Sequence, residues 1–123
     1  MLFLVMVARN RAAGEELASR YSDFACYMEV TQGRLREAKL VVNATPVGQD
    51  DESVPFDVND LAPSAKVFDL VYRRGGTMLV RRARAAGHDA EDGTMMLVEQ
   101  GALSFQRWFG QTPDRRAMQL AIA

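Results

Sequence analysis

The sequence predicts an α/β fold with a parallel sheet, on three observations. Short, unbroken apolar runs recur along the chain, as strands covered on both faces require. Segments with apolar residues at helical spacing lie between them. Glycine, proline and helix-capping residues stand at the junctions. Strand, helix, strand, helix, strand, helix is the pattern of right-handed crossovers between parallel strands.

The first element is Leu2 to Ala8, read as a strand buried on both faces. It is too short for the ~20 residues that span a bilayer, and it lacks a basic leader. Asn10 is placed to cap a helix from Arg11 to about Tyr21, with Glu15 and Glu16 near its positive amino end and Ala13, Leu17 and Tyr21 as its apolar stripe. Gly33 punctuates, a short helix follows over Leu35 to Ala38, and Leu40 to Asn43 is the second strand. Thr45 to Gly48 is a turn, because proline cannot continue a central strand.

Gln49 to Ser53 is polar and acidic, an exposed loop, and Asp60 to Pro63 closes a short helical turn. Val67 to Tyr72 reads as the third strand. Gly75 and Gly76 precede a helix from Thr77 to Ala86, which Gly87 ends. After the acidic loop Asp89 to Gly93 comes the longest helix, Thr94 to Phe109, with Val98, Ala102, Phe105 and Phe109 on one face. Gly110 and Pro113 end it, and Arg115 to Ile122 makes a final helix.

With 123 residues, 48% of them apolar, the chain is one domain (1–123) able to bury a core. Fifteen basic residues against 16 acidic ones give a net charge of -1, which offers no electrostatic attraction to nucleic acid or an anionic membrane. The cluster Arg73, Arg74, Arg81, Arg82 and Arg84 reads as a solvated helix face. One cysteine, Cys26, allows no internal disulfide and fits a reducing, cytoplasmic setting; it reads as a small buried apolar residue and His88 as a loop residue. One Cys and one His make neither a zinc cluster nor a Ser-His-Asp set, so no residue is read as catalytic or as a metal ligand.

Ligands of open parallel sheets bind outside the carboxyl ends of the strands. That rule selects Ala8-Arg9-Asn10, Asn43 to Pro46, and Tyr72. An Arg and an Asn at a helix amino terminus can seat a phosphate. In a dinucleotide fold a basic residue there favours the extra phosphate of NADP over NAD. Gln100 lies on the Met96–Leu103 stripe of the long helix, where its amide needs either a backbone partner or a ligand. Glu99 faces elsewhere, as a surface charge.

Val42-Asn43-Ala44-Thr45-Pro46-Val47-Gly48, then Phe68-Asp69-Leu70-Val71-Tyr72, then Asp92-Gly93-Thr94-Met95-Met96-Leu97-Val98-Glu99-Gln100-Gly101-Ala102 resemble the shikimate dehydrogenase family in order and spacing. The tail through Trp108, Gly110 and Pro113 matches too, and Ala8-Arg9-Asn10 stands where the family carries its Asn-Arg-Thr motif. The resemblance implies the carboxy-terminal part of a Rossmann-like, three-layer NADP domain, closed by C-terminal helices and lacking the first strand and its glycine-rich turn. It implies NADP-dependent, reversible oxidation of shikimate to 3-dehydroshikimate, in aromatic amino acid biosynthesis.

By the same resemblance Arg9 holds the 2′-phosphate and packs on the adenine, assisted by Asn10. Thr45 closes over the adenosine side, while Leu70 and Gly93 lie near the nicotinamide. Tyr72 and Gln100 reach the shikimate ring, which decides Gln100 for a ligand. The family's substrate domain and its Lys-Asp proton-transfer pair have no counterpart here: Lys39 and Lys66, the only lysines, precede strands at their amino ends. Ala8, Ala13, Met95 and Gln49 also depart from the family pattern. The chain is therefore expected to be inactive alone, and to form a homo-oligomer or join a separately encoded N-terminal half. Alternatives are a non-catalytic docking module, or quinate as substrate.

Overall fold

The computed structural model describes residues 3–29 and 32–123, without the side chains of Gln32 and Gly33. Among the described residues, five parallel strands fall into two sheets. β1 (Leu4–Met6) pairs with β2 (Ala25–Tyr27), and β3 (Leu40–Asn43), β4 (Lys66–Asp69) and β5 (Ala90–Glu91) pair in that order. Helices α1 (Arg11–Ser19), α2 (Gln32–Glu37), α3 (Met78–Ala85), α4 (Thr94–Phe109) and α5 (Arg115–Ile122) connect or follow them, with a 3₁₀ turn at Val58–Asp60. The α/β class and the parallel pairing are as the sequence predicts.

The core lies around β4 and α3. Leu35, Val58, Leu61, Val67, Leu79, Val80 and Ala83 form one buried cluster, with Val41, Val54 and Phe56 against it. Thr77 starts α3 by accepting the Val80 amide at its hydroxyl. At the far end of the chain Asp114 starts α5 by accepting from Arg116 and Ala117. α5 folds back on α4, where Arg115 Nε lies 3.0 Å from a Glu99 carboxylate oxygen.

The structure corrects several sequence expectations. β1 is shorter than Leu2 to Ala8, and Leu2 lies outside the described residues. It is not buried on both faces: Phe3, Leu4, Val5 and Val7 are all exposed, because β1 has a partner on one side only. Helix α1 buries Gly14 and Ala18 rather than Ala13, Leu17 and Tyr21. Gly14 sets that face, since a Cβ there would lie 2.6 Å from the Tyr27 ring, so only a glycine lets α1 sit this close to β2. Cys26 is half-buried rather than buried.

Two strands, β2 and β5, have no counterpart in the sequence reading; three and two residues are too few to show a period. β4 ends at Asp69, short of Tyr72, and Gly33 lies inside α2 rather than before it. The face of α4 packs at Val98 and Ala102, but Phe105 and Phe109 run past the core and contact each other with tilted rings, centroids 4.7 Å apart. His88 sits in a loop yet is buried, its Nδ1 bonded to the Ala65 carbonyl. Among the described residues no helix is long and apolar enough to cross a membrane.

Candidate functional site

β3 and β4 both finish an apolar run with a polar residue, and the register places Asn43 opposite Asp69. Asn43 Nδ2 donates to Asp69 Oδ1 at 3.0 Å and to the Val47 carbonyl at 3.2 Å. Its Oδ1 accepts from the Thr45 amide and, at 2.7 Å, from the Thr45 hydroxyl. Asp69 also accepts from the Val71 amide at 3.1 Å and from the Thr77 hydroxyl at 2.8 Å. All three of Asn43, Asp69 and Thr77 are buried, so these bonds form in a low-dielectric interior where an unpaired group is costly. They fix the loops that leave β3 and β4 at their carboxyl ends.

Between those loops lies an open cleft of about 490 Å³. Thr45, Pro46 and Gln49 line one wall; Leu70, Val71 and the half-exposed Tyr72 line the other. Gly93 backs the second wall. Its amide donates to the Val71 carbonyl at 3.0 Å, and a Cβ on it would stand 2.2 Å from the Leu70 carbonyl oxygen. No residue with a side chain fits there unless backbone moves. Asp92 then starts α4 by accepting the Thr94 amide at 2.9 Å.

Of the residues singled out from sequence, Thr45, Leu70, Tyr72 and Gly93 thus come together at the carboxyl ends of β3 and β4. Arg9 and Asn10 stand at the carboxyl end of β1, in the other sheet. Asn10 Oδ1 caps α1 by accepting from Ala13 N at 3.1 Å, leaving its amide nitrogen for another partner. Arg9 is exposed, and among the described residues it makes no ion pair or hydrogen bond. Its neighbour Arg11 differs: Glu15 at 2.8 Å and Glu29 at 3.5 Å hold it, and Glu15 raises its pKa above the ordinary guanidinium value. Gln100 lies in α4, exposed, with no backbone partner among the described residues. This corrects the sequence expectation: at an exposed position water satisfies the amide, and no protein partner or ligand is required for it.

Three of the five arginines in the cluster are paired, two of them sharing one carboxylate. Arg73 and Arg81 both bind Glu52, and Arg84 lies 3.7 Å from Glu91. Lys66 pairs with Asp89 at 2.9 Å, at the end of the sheet away from the cleft. Sequence reasoning missed the Asn43–Asp69–Thr77 network; its signal is a polar residue closing each of two apolar runs.

Residues 93–121 match the family model of the shikimate 5'-dehydrogenase C-terminal domain. Over 115 residues the chain is 38% identical to the NADP(+) shikimate dehydrogenase of Halobacterium salinarum, covering 93% of this chain and 43% of that protein. It is 43% identical over 89 residues to the Thermus thermophilus enzyme of the same name. In three dimensions it superposes on a Thermus thermophilus shikimate 5-dehydrogenase, in complex with NADP(H) and shikimate, with a TM-score of 0.81 and 34% identity, over 96% of this chain and 44% of that one. It also superposes on a quinate dehydrogenase from Corynebacterium glutamicum, in complex with NAD, with a TM-score of 0.84 and 28% identity, over 96% and 45%. The chain spans less than half the length of these relatives.

Proposed function

We propose that this chain, which belongs to the shikimate dehydrogenase family, supplies the NADP-binding part and some substrate contacts for the reversible oxidation of shikimate to 3-dehydroshikimate. The observation that carries the reading is the cleft at the carboxyl ends of β3 and β4, where Thr45, Leu70, Tyr72 and Gly93 converge. Parallel α/β sheets bind their ligands at such a place.

The residues present fit the cofactor. Arg9, uncommitted to any carboxylate among the described residues, would hold the 2′-phosphate, with the free amide nitrogen of Asn10 beside it. Thr45 would close over the adenosine side. Leu70 and Gly93 would border the nicotinamide, the missing Cβ letting the chain at Gly93 pack directly on the Leu70 backbone. When bound, NADP supplies the hydride acceptor. Tyr72 and Gln100 would orient the substrate ring, both being exposed and able to donate hydrogen bonds. The substrate hydroxyl proton needs a base, and neither lysine serves: Lys39 and Lys66 lie at the amino ends of their strands. We therefore assign proton transfer to a group outside this chain. The lone cysteine supports action in a reducing cytoplasm.

The test is NADPH formation by the purified chain given shikimate and NADP, read at 340 nm, beside NADPH binding read by fluorescence. Binding without turnover is the expected result. Turnover by the chain alone would overturn the assignment of the base, and absence of binding would overturn the cofactor reading. Quinate is the second substrate to try, favoured by the likeness to quinate dehydrogenase.

A further inference from the structure

The place from which the Arg9 side chain starts is set by the peptide before it and the helix after it. The helix side is fixed: Asn10 O accepts from Gly14 N at 3.0 Å, and Asn10 Oδ1 from Ala13 N at 3.1 Å. On the strand side the β1–β2 ladder reaches Met6 O, which accepts from Met28 N at 3.0 Å. Two residues on, the Ala8 carbonyl accepts from a side chain, the Tyr27 hydroxyl, at 3.2 Å. That carbonyl and the Arg9 N–H belong to one planar peptide, so a bond that holds the first also orients the second.

Packing aims the phenol. Tyr27 stands opposite Met6 in the register, and its ring lies against Gly14 of α1. A Cβ at Gly14 would come within 2.6 Å of the ring Cδ2, 2.7 Å of Cε2 and 3.2 Å of the Ala8 Cβ. Ring, helix and loop thus meet at one crowded point, where close packing keeps the hydroxyl in one place. Space filling asks only for the ring, which a phenylalanine would supply; the hydroxyl adds the bond to Ala8. A second tie joins the same ends of β1 and β2. Glu29 lies 3.5 Å from Arg11, which Glu15 also holds at 2.8 Å, so these carboxylates engage Arg11 while Arg9 stays exposed.

We propose that Tyr27 is a positioning residue for the 2′-phosphate of NADP: its hydroxyl holds the Ala8–Arg9 peptide and so sets where the Arg9 guanidinium can reach. The role rests on the cofactor reading above, in which Arg9 takes the phosphate. A guanidinium grips phosphate through paired, directional hydrogen bonds, which a displaced stem misaligns. Tyr27 therefore acts on the phosphate through Arg9, while Thr45, Leu70 and Gly93 serve the rest of the nucleotide.

Calorimetric titration of the wild-type and Tyr27→Phe chains with NADPH and with NADH tests it. Phenylalanine keeps the ring against Gly14 and removes the one donor. A neutral hydrogen bond corresponds to roughly 3- to 10-fold in affinity, so NADPH binding should weaken by that factor and NADH binding should hold. In the Arg9→Ala background the same substitution should change neither, because the residue it positions is gone. The Ala8 carbonyl carbon shift, read by NMR without nucleotide, should move in Tyr27→Phe as its donor is lost. Equal weakening for both nucleotides, or a further loss beside Arg9→Ala, would make Tyr27 a purely structural residue and overturn the role. So would an unmoved Ala8 carbonyl, or a Tyr27→Phe chain that binds NADPH like the wild type. A wild-type chain that binds neither nucleotide overturns the cofactor reading, and the positioning role falls with it.

Discussion

Asn43 and Asp69 face each other across β3 and β4 at a hydrogen-bond distance of 3.0 Å, and the Asp69 carboxylate accepts from three buried donors in all. One side-chain pair thereby fixes both walls of the cleft: Asn43 holds Thr45, and Asp69 holds the turn at Val71 and the start of α3. Replacing Asp69 with Asn presents a second amide to donors already in place. The Asp69→Asn chain should lose about 1–3 kcal/mol of stability in urea denaturation, the range for stranding a buried polar group. Thr77→Val, which keeps shape but removes one donor and a helix cap, should lose about 1–2 kcal/mol. The two losses should not add, because they share a partner.

Gly93 and Gly101 make a matched pair. A Cβ at Gly93 meets the Leu70 carbonyl oxygen at 2.2 Å, whereas one at Gly101 meets only the terminal methyl of Met118 at 2.9 Å. Backbone cannot step aside cheaply, and the end of a methionine can. Gly93→Ala should therefore cost about 1–3 kcal/mol, like other overpacked sites, and disturb the cleft. Gly101→Ala should be near neutral or gain up to ~1 kcal/mol from helix propensity. Thermal denaturation of the two variants checks the contrast; equal effects would refute it.

Asp51 organises the loop below the cleft by accepting from both the amide and the hydroxyl of Ser53, and those bonds hold its pKa below the ordinary carboxylate value. A depressed folded-state pKa contributes stability above the unfolded-state value, lost as pH falls through the folded one. The loop contact should accordingly persist through neutral pH and loosen only in acid. NMR titration of the Asp51 carboxyl carbon should show a midpoint below that of a free aspartate, and Ser53→Ala should return it toward ordinary.

Much of this was legible in the sequence because it rests on local signals. The bounds of α4 and α5 follow from glycine, proline and aspartate at their ends, and the carboxyl-end rule points to Thr45 and Tyr72 without a structure. The failures share one cause, which is dependence on partners distant in the chain. β2 and β5 exist only by pairing with β1 and β4. Which face α1 buries is decided by Tyr27, across a loop, and not by its own apolar stripe. The exposure of β1 reflects what lies beside it, to which an apolar run gives no clue.

Arg9 and Arg11 stand two residues apart and should behave oppositely. Arg11 already serves Glu15 and Glu29, so its charge is spent within the protein. Arg9 is exposed and has no such partner among the described residues, and it follows a strand beside a helix amino terminus, where a phosphate is favoured. Charge-assisted hydrogen bonds contribute about 1.5–3 kcal/mol, or roughly 10- to 100-fold in affinity. Arg9→Ala should weaken NADPH binding by that factor and leave NADH binding nearly unchanged, because only the former carries the 2′-phosphate. Arg11→Ala should alter neither and change helix stability only slightly. Calorimetric titration of both variants with both nucleotides separates the cases. Equal losses for NADPH and NADH at Arg9→Ala would show that the residue acts on structure rather than on the phosphate.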